Sequence, residues 1–143
     1  MEQRLSLVTL GVADLARARS FYEEGLGWAK NNLEEEVAFY QLNGLILAIW
    51  TRADLAIDAK VADTGATFSG MTLAFNTRSH DEVDALLAEA AAAGGTVLKP
   101  AEETEWGGYS GYFADPDGHA WEVAWNPGWS IDETGHVSLG SSS

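Results

Sequence analysis

The chain has 143 residues, 46% of them hydrophobic and 21% charged, a composition that excludes a disordered chain and fits one compact domain. Eight basic against 22 acidic residues leave a net charge of −14, which disfavours a phosphate backbone as partner. Cysteine is absent, so disulfides, zinc–thiolate sites and cysteine nucleophiles are excluded.

No apolar run nears the roughly 18 residues of a membrane helix, and Met1 to Leu5 lacks a secretory pattern. The expectation is a cytoplasmic protein with neither a membrane nor a nucleic acid as partner.

Leu5 to Val12 reads as a strand. Asp14 follows as a helix N-cap, with Leu15, Ala18, Phe21 and Tyr22 on one helical face and Gly25 and Gly27 as the stop. Val37 to Leu42 and Leu45 to Trp50 are strands flanking Asn43-Gly44, a pair suited to a tight hairpin. Residues 51 to 68 connect the halves, with a helical turn or two between Thr51 and Val61.

Ser69 to Thr77 reads as the next strand, and Ser79-His-Asp-Glu82 has capping-box spacing. Val83, Leu86, Leu87 and Ala90 form a buried stripe that Gly94-Gly95 ends. Thr96 to Lys99 is a short strand before Pro100. Tyr109 to Ala114 and His119 to Asn126 form a hairpin around the Asp115-Pro-Asp-Gly118 turn.

Thr9-Leu-Gly-Val12 and Thr72-Leu-Ala-Phe75 stand 63 positions apart, each followed by a helix start. Phe39 before Gly44 and Phe113 before Gly118 repeat a second landmark, so each half reads β-α-β-β-β. The expected organisation is a single domain over 1–133, with modules at about 4–52 and 68–127, a connector over 53–67 and a flexible tail over 134–143.

These residues carry a resemblance. Val8-Thr-Leu-Gly-Val-Ala-Asp-Leu15, Ser20-Phe-Tyr22 and Leu26-Gly27 resemble the vicinal oxygen chelate superfamily, which includes glyoxalases, bleomycin-resistance proteins and extradiol dioxygenases. Gly111-Tyr-Phe-Ala-Asp-Pro-Asp-Gly-His-Ala-Trp-Glu-Val123 is the most specific part of the match. The resemblance implies an α+β fold in which two βαβββ modules form curved half-barrels around a cavity. It also implies a homodimer.

Enzymes of that superfamily hold a divalent metal with His, Gln or Glu at the start of each half's first strand and on each half's last strand. The pattern carries over here to Leu7, Ala48, Gly70 and Glu122. Only Glu122 has a donor, so the expectation is no metal and no cofactor. The three histidines do not repair the set: His80 starts a helix, His119 has opposite strand parity to Glu122, and His136 lies in the tail.

Strand alternation sorts what such a cavity would offer. Leu7, Thr9, Ala48, Trp50, Gly70, Thr72, Ala74, Asn76, Glu122, Ala124 and Asn126 fall on the concave side. Met71, Leu73, Phe75, Trp121, Val123 and Trp125 turn towards the helix. Glu105-Trp-Gly-Gly-Tyr-Ser-Gly-Tyr112 reads as a mobile aromatic segment that closes over a flat ligand, with Trp106 and Tyr109 as its walls; the same rings also suit a plug at a barrel end or a dimer interface.

Glu122 reads as a general base or a hydrogen-bond acceptor for a ligand, and equally as a carboxylate paired with a neighbouring Thr, Asn, Tyr or Arg. The leading functional expectation is a small-molecule-binding protein of the bleomycin-resistance kind, with antibiotic sequestration as its most concrete form. The alternative is an enzyme of the same fold: a metal-free isomerase or lyase with Glu122 as base, or a metal-dependent lyase or dioxygenase.

Overall fold

The computed structural model describes residues 3, 6–65, 68–69 and 71–139. They fall into two compact units, residues 1–69 and 70–143. No helix among the described residues is long and apolar enough to cross a membrane.

In the first unit, β1 (Leu7–Val12) leads into α1 (Leu15–Arg19). Asp14 caps α1 by accepting from the Arg17 N–H at 3.0 Å. The helix continues as a π-helical turn over Ser20–Gly25, which buries the adjacent rings of Phe21 and Tyr22. β2 (Val37–Gln41) pairs antiparallel with β3 (Ile46–Thr51), β1 pairs parallel with β3, and the sheet order is β1-β3-β2. Gly44 takes the left-handed conformation at the hairpin (φ +86°). The connector holds α2 (Arg52–Ala59), capped by Thr51.

Alternation along these strands gives one buried face of Leu10, Val12, Ala38, Tyr40, Leu47 and Ile49, which packs with Ala18, Phe21 and Tyr22. Only three strands form here among the described residues. The place of a fourth, beside β2, is held by Asn31 and Asn32. The Asn32 amide accepts from the Phe39 N–H at 2.9 Å and donates to the Val37 carbonyl at 2.9 Å. Asn31 accepts from the Gln41 N–H through its side chain at 2.7 Å, and its own N–H donates to the Phe39 carbonyl. Side-chain amides thus satisfy a strand edge that a neighbouring backbone would otherwise pair.

In the second unit, β4 (Leu73–Thr77) runs into α3 (His80–Ala92), β5 (Thr96–Glu103), β6 (Tyr109–Ala114) and β7 (Ala120–Trp125). The sheet order is β4-β7-β6-β5, with β4 parallel to β7 and the other pairs antiparallel. Val83, Leu87 and Ala90 of α3 are buried, as are Phe113, Trp121 and Val123 of the sheet. Phe113 and Trp121 are cross-strand partners, with parallel rings 6.1 Å apart.

Four local expectations change. The capping box is not made: Ser79 forms no side-chain cap, and Glu82 accepts instead from the N–H of Arg78, one residue before the cap, at 2.9 Å. The strand expected to stop before Pro100 runs through it to Glu103, because β5 is an edge strand and its register shifts around Lys99. Met71 and Phe75, expected in the core, are each half-exposed; β4 is also an edge strand, and Phe75 opens onto a groove with Leu86, Glu82 and Glu89 of α3.

The fourth change lies beyond Trp125, in a short ribbon of β8 (Ser130–Ile131) and β9 (Val137–Ser138), whose second strand falls within the tail expected over 134–143. Asp132 builds its turn, accepting from the N–H groups of Thr134 and His136 at 2.9 Å each. Gly140 to Ser143 lie outside the described residues.

Candidate functional site

The β6–β7 hairpin determines where Glu122 stands. Asp115, buried at the turn, accepts from the N–H groups of Asp117 and His119 at 3.0 and 2.9 Å, and Gly118 takes φ +87°. Counting outward from that turn, Asp115 faces His119 and Tyr112 faces Glu122. Ala74 flanks Glu122 on β4 and Lys99 flanks Tyr112 on β5. One row across the sheet therefore reads Ala74, Glu122, Tyr112, Lys99.

The Tyr112 phenol stands beside the Glu122 carboxylate as its direct cross-strand neighbour. Burial, then the negative charge of Glu122, hold the Tyr112 proton more tightly than in an ordinary tyrosine, against the opposing pull of Lys99. Lys99 is itself tied to Glu102 at 2.8 Å, and that carboxylate is the main reason its ammonium is held. Among the described residues no ion pair forms on Glu122.

In front of Glu122 lies a pocket of about 390 Å³, within the usual range for small-molecule sites. Ala74 and Ala124 give it a small apolar floor, Asn76 and Asn126 supply amides, and Trp106 and Trp129 wall it. Asn126 also accepts from the Gly128 N–H at 2.9 Å, which shapes the turn carrying Trp129.

Trp106 is seated by its own turn. The Thr104 N–H donates to the Gly108 carbonyl, and the Thr104 hydroxyl accepts from the Gly108 N–H at 2.9 Å. A Cβ at Gly108 would overlap the Trp106 ring and the Trp125 carbonyl. The glycine-rich segment is thus a hydrogen-bonded turn rather than an open flap.

Of the residues expected from the sequence, Asn76, Trp106, Glu122 and Asn126 meet at this pocket, while Thr72, just ahead of β4, is not among its lining residues. Tyr109 does not line it. It has the opposite parity to Tyr112 on β6, so its ring stacks on His80 at 3.7 Å and its hydroxyl donates to Asp84 at 3.0 Å. His80 in turn contacts Glu103 at 2.9 Å.

Leu7, Thr9, Ala48 and Trp50 share one face of the first unit's sheet, with Thr9, Ala48 and Phe39 side by side in one row. Gly70 lies outside the described residues. Sequence reasoning missed Tyr112 and left Trp129 outside its site. Counting from the Asp115–Gly118 turn was the signal that would have found the tyrosine.

The four positions at which the family would grip a metal can now be tested. Leu7 and Ala48 are hydrocarbon side chains, a glycine at 70 has no side chain, and Glu122 alone supplies a donor atom. Among the described residues no three His, Asp or Glu side chains converge. These residues do not fit a divalent ion chelated in the family's manner, which needs several convergent donors.

Comparison with known proteins places this geometry. The profile of the Glyoxalase/Bleomycin resistance protein/Dioxygenase superfamily matches residues 4–123. A metallothiol transferase FosB of Shouchella clausii is 32% identical over 126 residues, covering 86% of this chain and 80% of that protein. Among solved structures, a glyoxalase-related enzyme from Fulvimarina pelagi superposes with a TM-score of 0.90 at 44% identity, covering 98% of this chain and all of that one. A glyoxalase/bleomycin resistance protein from Albidiferax ferrireducens gives 0.65 at 28% identity over 86% of this chain and 98% of that one.

Proposed function

The chain belongs to the Glyoxalase/Bleomycin resistance protein/Dioxygenase superfamily, and from that premise we propose that it binds a small organic molecule in the Glu122 pocket, without a metal held in the family's manner. The observation that carries the reading is the carboxylate itself, set beside one tyrosine and facing a tryptophan-walled pocket with an alanine floor. Such a pocket offers apolar area for affinity and a few polar groups for orientation. Antibiotic sequestration is its most concrete form, since sequestration needs no chemistry.

The proposal takes the protein as a cytoplasmic homodimer. Large apolar side chains left half or more exposed, Ile57 and Phe75 among them, support a partner surface. The metallothiol transferase activity named for the FosB relatives is not carried over, because three of the four ligand positions have no donor side chain. The test is a small-molecule screen by tryptophan fluorescence and thermal shift, with and without divalent metal. Ligands that raise the melting temperature without metal are expected; ligands found only with metal would overturn the reading.

A second reading has its own support. Glu122 beside Tyr112 can take a proton from a carbon next to a carbonyl while the phenol donates to the developing oxyanion, and the Fulvimarina pelagi protein is described as an enzyme. Glu122→Gln keeps the shape and removes the base. Under this reading turnover of an isomerase or lyase substrate falls by about 100-fold or more; turnover that survives would sink it.

A further inference from the structure

We infer that the ligand of the Glu122 pocket is a flat organic cation, a protonated or quaternised nitrogen heterocycle; this deepens the binding reading and rests on it. Four features point the same way. Glu122 is a carboxylate in the pocket wall without an ion-pair partner among the described residues. No lysine or arginine lines the pocket with it.

The second unit carries twelve acidic residues against two basic ones, Arg78 and Lys99. Arg78 donates to the Asp132 carbonyl at 2.7 Å, and Lys99 pairs with Glu102 and is attracted more weakly to Glu122. Twelve acidic groups against these two keep the field at the pocket negative, which disfavours an anionic ligand.

The walls supply the fourth feature. Trp106 and Trp129 are 51% and 43% exposed, so two indoles stand with much of their surface in water at a single pocket. Indole faces attract cations more strongly than other aromatic rings do, and they stack on planar ones. Asn76 and Asn126 bring neutral amides that orient a ring substituent without cancelling its charge. The volume, about 390 Å³, accommodates a fused two- or three-ring heterocycle.

A matched set of probes tests the charge apart from the shape: 1-methylquinolinium chloride, neutral quinoline and the 2-naphthoate anion. Binding is read by calorimetry and by the indole N–H resonances of Trp106 and Trp129, with the full chain at neutral pH and two salt concentrations. The expected order is methylquinolinium, then quinoline, then naphthoate, with a cation advantage of about 10-fold or more over quinoline that shrinks with added salt.

Glu122→Gln is expected to collapse that ratio, and Trp106→Leu to weaken methylquinolinium by about 10-fold. Should either variant fail to fold, the wild-type ratio and its salt dependence still decide. Equal binding of quinoline and methylquinolinium, or tighter naphthoate, would overturn the cation assignment and leave the pocket reading standing. Absence of binding by all three would overturn both.

Discussion

Tyr112 and Glu122 are direct cross-strand neighbours, and the carboxylate's charge helps to hold the phenol proton. The phenol stands beside the carboxylate without neutralising it. Glu122 thus leaves the pocket lining charged at one point only.

Tyr112→Phe keeps the ring and removes the hydroxyl beside Glu122. The expected outcome is a change in ligand response at the Trp106 and Trp129 indole resonances, and a shallower loss of stability at alkaline pH because one raised phenol is gone. A variant with unaltered resonances and an unaltered alkaline slope would count against the pairing.

The hairpins were legible because their turns are chemical. Asn43-Gly44 and Asp115 to Gly118 each put a glycine with positive φ where the sequence placed it, and Asp14 caps α1 as its side chain dictates. Alternation also placed Ala74, Asn76, Glu122 and Ala124 on one side.

Less visible was what covers a face. Phe75 has the parity of a core residue but sits on an edge strand, and periodicity carries no information about a neighbour's absence. Tyr109 was misread through composition: its glycine-rich surroundings suggested a lid, while its place on β6 sends it to α3. Nor did anything in residues 28–36 announce that two asparagines would occupy a strand's place.

Those asparagines yield the second expectation. Asn32→Ala removes the partners of the Phe39 N–H and the Val37 carbonyl together. A cost of about 1–2 kcal/mol follows, and hydrogen exchange at Phe39 accelerates. Asn31→Ala instead releases the Gln41 amide. Exchange rates that move alike in both variants would refute the separate attachments.

Alkaline pH probes the first unit. Tyr40 is buried, with its hydroxyl 3.1 Å from Glu23; burial first, and the Glu23 charge second, raise its phenol far above the ordinary value. Below about pH 10 the folded and unfolded chains both keep that proton and the contribution is whole. Above it the unfolded chain ionises first, so stability falls as pH climbs towards the native value.

Tyr109 and Tyr112 are raised in the same direction and share the decline. Tyr40→Phe is expected to make it shallower by up to about one proton in slope, read from denaturation midpoints across an alkaline series. An unchanged slope would contradict the assignment.

The bare α-carbon at Gly108 has an outcome for anyone altering this pocket. A methyl there would evict an indole, so the width of the opening is controlled from a position that need never meet a guest. Libraries aimed at new guests would gain by leaving 108 alone and varying Ala74 and Ala124, where added bulk changes depth while the wall stays put.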